Sequence, residues 1–464
     1  MKEVLQKFFL VLVASLLLLS DCLAQSSIEP VRSQQGSIFS DQQTKTSPSY
    51  ENVWQEDYCS SDVCSGCHDK ISKEFLQSMH SQSFINPVFQ AQFFDEVVPL
   101  ADQSENFFSD ARKCIACHAP VAFLKTKGVH LDREQKDPRN SGVICDFCHS
   151  ISDFADEKPS NGNYIATPGK HKLGPFKCKT HWHHVYSELQ TKSEFCAICH
   201  NQYNSYGLEI KSTYTEWLNS KYAEEGIQCQ DCHMNVLGFL TGGKPTHASG
   251  KATQDNLTYP PDRSKLYTHR FPGAYSKSQI SGAITLGIEF ERKHEFPGNK
   301  IKIEIHVDNS RTGHKMPSGS ADLRLLWLTV DAIVGDKVIP IPATSKSKVD
   351  DYDVSGLGPF DQEFISADIP KGNRVYRAIY LDKKGKQTLS SYEAVKIIFD
   401  NRLEAAEIRK EIYNFVIPKD LRGNVVLVAE LQYLPYPSSF SNQFSLPSPE
   451  AVVIATAQKE ILID

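Results

Sequence analysis

Cys64, Cys67 and His68 stand in the order Cys-x-x-Cys-His. The same order recurs at Cys114-Cys117-His118, Cys145-Cys148-His149, Cys196-Cys199-His200 and Cys229-Cys232-His233. Two thiols three residues apart share one face of a helical turn, with the imidazole directly after them. That triad fits c-type haem attachment, in which each thiol closes a thioether to a haem vinyl group and the histidine takes one axial position on the iron. Structural zinc held by Cys-x-x-Cys pairs would not need a histidine after the second cysteine five times over. The motifs therefore predict five covalently attached haem c groups, with ten cysteines as attachment points and His68, His118, His149, His200 and His233 as proximal ligands.

The other axial position decides between a wire and an enzyme, because axial ligands, burial and hydrogen bonding set the potential and reactivity of the iron. Beyond the proximal set the chain offers His80, His130, His171, His181, His183, His184, His247, His269, His294, His306 and His314. Methionine is confined to Met1, Met79, Met234 and Met316. Mostly bis-His, six-coordinate iron is the economical reading. His130, His294 and His306 are read as ordinary polar residues, His306 falling on the polar face of its strand.

The motifs dictate the organisation around them. First cysteines are 50, 31, 51 and 33 residues apart, so every second motif recurs after 81, 82 or 84 residues. "GVICDFCHSI" at 142–151 and "GIQCQDCHMN" at 226–235 repeat one phrase, which predicts a duplicated two-haem unit plus one more haem. Five haems between Cys64 and His233 leave little chain for a conventional aliphatic core, so helical turns and loops are expected to wrap porphyrins instead. After about Tyr275 no cysteine remains and strand patterns take over. "KIKIEIHV" at 300–307 alternates strictly, and "LLWLTVDAIV" (325–334), "NRVYRAIYL" (373–381) and "GNVVLVAELQYL" (423–434) are further strand candidates. "DKKG" at 382–385 and "PKDLRGN" at 418–424 read as turns. One helix is expected near 389–400 or 402–412. The fold class expected is α+β: a mostly helical and loop, haem-cored pentahaem domain at 51–279 followed by an all-β, sandwich-like domain at 280–464.

The first residues, "MKEVLQKFFLVLVASLLLLSDCLAQ", combine Lys2 and Lys7 with an apolar run from Phe8 to Leu19 and small residues before Gln25. This predicts a signal peptide at 1–24, then a flexible, polar leader at 25–50. The apolar run is short of the ~20 residues that span a bilayer, so no membrane span is expected after cleavage. The chain is then exported, periplasmic or extracellular, where haem is attached. Cys59 and Cys178 remain after the signal and haem cysteines are removed, and an oxidising compartment makes a disulfide between them the simplest pairing, with two free thiols as the alternative. A formal charge of −6 without a basic stripe argues against nucleic acid as a partner.

"CSGCHDKISKEFLQSMHSQSF", "SEFCAICHNQ", "TYTEWLNSKYAEEGIQCQDCHM", "THRFPGA" and "NSRTGHKMPSGSADLRLLWL" resemble phrases of multihaem cytochromes of the c552/c554, hydroxylamine oxidoreductase-like class, over roughly residues 58–435. In that class a histidine in the Ser-x-His context of Ser78-Met79-His80 is a distal ligand to another haem. The resemblance thus ranks His80 first, then His269 and His314. His183 of "HWHH" is expected to serve the haem at Cys196 or a neighbour, with His247 and His171 competing for the remaining iron. A ligand role for His314 would clamp the strand-rich region onto the haem array.

Two functions follow. The first is electron transfer to and from other cytochromes without a catalytic residue, the strand-rich region serving docking or assembly; self-assembly into extracellular filaments is a further arrangement known for such proteins. The second is an oxidoreductase acting on a small nitrogen or sulfur compound at one open haem. Against it stands the absence of a Cys-x-x-Cys-Lys motif, the mark of the active haem in one nitrite reductase family.

Overall fold

The computed structural model describes residues 31–32, 58–169, 171–177, 184–238, 244–255, 262–343, 348–349, 352–353 and 362–464. The expected signal peptide, and all of the leader except Val31–Arg32, lie outside the described residues. Those two residues pair antiparallel with Ile165 and Ala166, adding a strand to the hairpin of Ile151–Phe154 and Tyr164–Ala166.

From Ser61 to Ile280 short helices dominate, among them Asp69–Leu76, Pro87–Gln92, Glu105–His118, Pro120–Thr126, Ser193–His200 and Thr213–Leu218. Local chemistry sets their ends. The Asn86 side chain accepts from the amides of Val88 and Phe89 at 3.0 and 3.2 Å, and Pro87 occupies the first helical position, where its missing N–H costs nothing. Lys127, at φ 55°, ends Pro120–Thr126 in the left-handed region.

The expectation that haem attachment leaves no conventional core here is not met. Phe84, Phe93, Val97, Ile115, Val121, Phe123, Phe147 and Tyr164 form one buried cluster. The long stretch between the first and second motifs supplies part of it. Phe93 and Val97 come from that stretch, while Ile115 and Phe147 come from the motif helices themselves and Val121, Phe123 and Tyr164 from the elements that follow them. Tyr392, from the strand-rich region, belongs to the same cluster.

Beyond Ile280 the chain is mainly strands. Thr285–Glu289, Lys300–Asp308 and Ile408–Val416 form an antiparallel three-stranded sheet with Lys300–Asp308 in the centre. A second, six-stranded sheet runs His294–Glu295, Val452–Ile463, Gly423–Leu434, Leu325–Val334 and Lys337–Pro340, with Arg374–Tyr376 also paired to Leu325–Val334. Ile301, Ile303, Ile305 and Val307 of the first sheet share one buried cluster with Leu326, Leu328, Val330, Leu427 and Leu431 of the second. The alternation legible in "KIKIEIHV" is the alternation of buried and exposed positions along that strand.

The helix expected at 389–400 or 402–412 is replaced by a 3₁₀ turn, Ser391–Glu393, and two strands, Ala394–Asp400 and Ile408–Val416. Ala, Glu, Leu and Arg in "NRLEAAEIRKEI" favour helix weakly, but tertiary pairing overrides propensity. Along Ile408–Val416, Glu411, Tyr413 and Phe415 are buried in a period of two, and Glu411 meets the Arg374 guanidinium at 2.8 Å.

Ile303 is fully buried, while its neighbour Lys302 is exposed. Ile303→Ala should lower unfolding free energy by about 3 kcal/mol, and Lys302→Ala by less than about 0.5 kcal/mol, as read from chemical denaturation of the holoprotein.

Candidate functional site

Four of the five Cys-x-x-Cys-His triads sit on helices: Glu105–His118, Cys145–Cys148 with His149 at its end, Ser193–His200 and Cys229–His233. The first begins in Ser61–Ser65 and finishes in the following turn. The fourth and fifth are tied together at their starts. The Gln228 side chain accepts from the Ser193 amide at 2.8 Å, and Ser193 Oγ accepts from the Cys229 amide at 3.0 Å.

All ten cysteines and all five histidines of the triads line one continuous cavity of about 1650 Å³, together with His80, His184, His269 and His314. The motifs are also neighbours of one another. The Cys64 and Cys145 thiols are within hydrogen-bonding reach, as are Cys117 and Cys199, and Cys196 and Cys229. Cys148 and Cys199 lie close enough to feel each other's charge. The fourth motif therefore adjoins the second, third and fifth. Burial pushes the Cys114, Cys148 and Cys232 thiols up to about 12.

Three pairs of imidazoles face each other across this cavity. Ring centres are 6.0 Å apart for His80 and His200, 6.4 Å for His149 and His269, and 6.2 Å for His233 and His314. Two imidazoles binding one metal ion from opposite sides at about 2 Å each place their ring centres about 6 Å apart. Tautomers are arranged to suit. Nδ1 of His68, His118, His149 and His314 lies 2.7, 2.9, 2.6 and 2.8 Å from the carbonyls of Ala252, Ser83, Leu173 and Lys315. Donation from Nδ1–H to a carbonyl leaves the Nε2 lone pair for a metal. Burial lowers His80 to about 3 and His118, His233 and His269 to about 4, so these imidazoles are neutral, the form that binds metal. The donor set thus fits covalently attached haem: two thiols and a neutral imidazole per motif, on the wall of a shared cavity.

Other sequence candidates are placed differently. His247 packs edge-on against Tyr267, 3.7 Å from Asp231, and His171 is half-buried; neither is among the residues lining the cavity. His183 and Cys178 lie outside the described residues. Cys59 is exposed. His184, next to His183 in "HWHH", lines the cavity, with Nε2 2.9 Å from the Phe176 carbonyl. Gly174 makes room for it: a Cβ there would stand 2.8 Å from His184 Cε1. As expected, His130 and His294 are exposed, and His306 bonds to Glu304 on its own strand at 2.6 Å.

His314 comes from the strand-rich region, and a buried ion pair holds it there. Arg402 Nη1 donates to Glu216 Oε1 at 2.7 Å with both side chains almost fully buried. The other Glu216 oxygen accepts from Ser318 Oγ at 2.6 Å and from the Lys315 amide at 3.2 Å. The Lys315 carbonyl in turn meets His314 Nδ1. Burial alone would raise the Glu216 carboxyl, but the charge of Arg402 and the hydroxyls of Ser318 and Ser212 hold it below its ordinary value.

Residues 63–150 match the family described as cytochrome c554 and c-prime. No curated protein matches the sequence. Among solved structures, the fold is similar to that of a penta-heme cytochrome c552 from Thermochromatium tepidum, with a TM-score of 0.58 and 19% identity over 87% of this chain and 99% of that one. The sporulation control protein Spo0M from Bacillus subtilis overlaps 39% of this chain and 50% of its own at 12% identity, with a TM-score of 0.15 that carries no argument.

Removing one partner of a buried ion pair leaves an uncompensated charge. Arg402→Ala should therefore cost about 3–5 kcal/mol of unfolding free energy, while Lys73→Ala, in an exposed pair with Asp69, should leave the denaturation midpoint unchanged.

Proposed function

We propose that this chain, a multihaem c-type cytochrome of the c552/c554 class, carries five haems and passes single electrons along them to and from partner cytochromes outside the cytoplasm. When bound, haem supplies a one-electron ferric/ferrous couple. The facing imidazole pairs carry the reading. His200 with His80, His149 with His269 and His233 with His314 would each grip one iron from both sides, leaving no position there for a substrate. Six-coordinate iron with unchanged ligands suits electron transfer. The contacts among Cys64 and Cys145, Cys117 and Cys199, and Cys196 and Cys229 favour a connected array with the fourth motif as its junction.

The chain's own residues do the holding. Carbonyls of Ser83, Leu173 and Lys315 orient their imidazoles, and burial holds His118 and His149 below the ordinary histidine range. We read 51–279 as the haem region and 280–464 as a sandwich-like module, the latter supported by the buried cluster its two larger sheets share. A signal peptide at 1–24 would deliver the chain to the compartment where haem is attached, periplasmic or extracellular. End-to-end association into filaments would extend the array between molecules.

One observation favours a second reading, chemistry on a small nitrogen or sulfur compound. Among the described residues no second imidazole ring faces His68 or His118 as in the other three pairs; the ring stacked on His118, at 4.0 Å, is Phe89. An iron left open there would bind small ligands.

Intact mass of protein matured in a host with c-type haem attachment tests the first reading. Five haem additions are expected on a chain beginning at Gln25, and four after Cys114→Ser with Cys117→Ser; fewer than five on the natural sequence would contradict it. Carbon monoxide binding to the reduced protein would mark an open iron and favour the second.

A further inference from the structure

Arg324 precedes the strand Leu325–Val334 and lines the haem cavity, yet it is buried and pairs with no carboxylate among the described residues. Its Nη1 donates to the Pro435 carbonyl at 2.5 Å, and its guanidinium lies 5.1 Å from the centre of the Tyr275 ring. Its Nε has no acceptor among the described residues. The Tyr433 hydroxyl, within electrostatic reach of Arg324 and on a residue lining the same cavity, is also buried without a hydrogen-bond partner among the described residues.

A guanidinium is charged at every accessible pH, and burying it unpaired is strongly unfavourable. Leaving a neighbouring hydroxyl unpaired adds to that cost. Two orphaned donors converging on one cavity call for an anion with at least two acceptor oxygens. Nε–H and the Nη group beside it form the planar fork that a carboxylate accepts in two parallel bonds. The charge of the buried Asp322 reaches Arg324 but makes no ion pair with it among the described residues, and Tyr275 and Tyr433 are uncharged.

We propose that Arg324, with Tyr433, is a carboxylate anchor that receives a propionate of one haem and sets that haem's potential. This rests on the reading that the cavity holds covalent haems. The anchor lies in the strand-rich region, so that region would contribute charge compensation to the array as well as the His314 ligand. A free oxyanion, such as nitrite or sulfate, shares the same chemistry and is the competing source.

The test uses holoprotein whose haem content has first been fixed by intact mass, so that a failure of haem loading is seen separately. Spectroelectrochemical titration then compares the natural protein with Arg324→Gln, Arg324→Lys and Tyr433→Phe. A propionate stripped of its counter-charge stabilises ferric iron. Arg324→Gln should therefore shift one midpoint to lower potential, leave the rest in place and make that midpoint newly pH-dependent near neutrality. Arg324→Lys should restore most of the shift, and Tyr433→Phe should move the same haem in the same direction by less. If Arg324→Gln does not fold, the lysine and phenylalanine variants carry the comparison. Unchanged midpoints in every fully loaded variant would overturn the proposal. So would a nitrite- or sulfate-induced shift in the natural protein that Arg324→Gln abolishes, since that outcome assigns the anchor to a free anion.

Discussion

Arg402 and Glu216 meet in a place where neither charge reaches water, and much of the molecule is arranged around that contact. Desolvating two ions is costly and is repaid only when the remaining donors and acceptors find partners. Here they do. Arg402 Nε and Nη2 reach the two Asp400 oxygens, both at 2.9 Å, and Glu216 accepts from Ser212, Ser318 and the Lys315 amide besides Arg402. Glu216 sits on the helix Thr213–Leu218, between the fourth and fifth motifs. Arg402 lies between the strands Ala394–Asp400 and Ile408–Val416. The pair thus fixes the sheets against the motif-bearing helices, and through the Lys315 peptide it fixes His314 opposite His233.

The same logic of satisfied polar groups runs through the cavity wall. Burial holds His80, His118, His149 and His269 below the ordinary histidine range, which disfavours their charged forms. Carbonyls of Ala252, Ser83, Leu173 and Lys315 engage Nδ1, so orientation and tautomer are set before any metal is present. Second-region support recurs as well: Asn204 donates to the Ser391 and Ala394 carbonyls at 3.1 and 2.7 Å, and Ser390 Oγ donates to Glu96 at 2.9 Å.

Features encoded by local spacing were legible in the sequence. The five triads stand at fixed intervals, and the strands Leu325–Val334 and Gly423–Leu434 have the bounds their composition suggests. Features that depend on distant partners were not. Nothing near His80 says that it faces His200, since 120 residues of chain separate them; only family likeness pointed to a ligand role. His184 was hidden among adjacent histidines, and only the missing Cβ of Gly174 makes space for it. Residues 402–412 carry helix-forming side chains but lie partly in a strand, because burial of Glu411 against Arg374 is decided by tertiary pairing. The core around Phe84, Phe123 and Phe147 was not legible because Phe123 and Phe147 sit on or directly beside the motif-bearing helices, where one face meets the protein interior and the other the cavity.

The central claim is that imidazole pairs close the axial positions of most of the irons. Electron paramagnetic resonance of the oxidised holoprotein tests it directly. Low-spin ferric signals integrating to at least three haems per chain are expected from His80 with His200, His149 with His269 and His233 with His314. A spectrum dominated by high-spin iron would contradict the account.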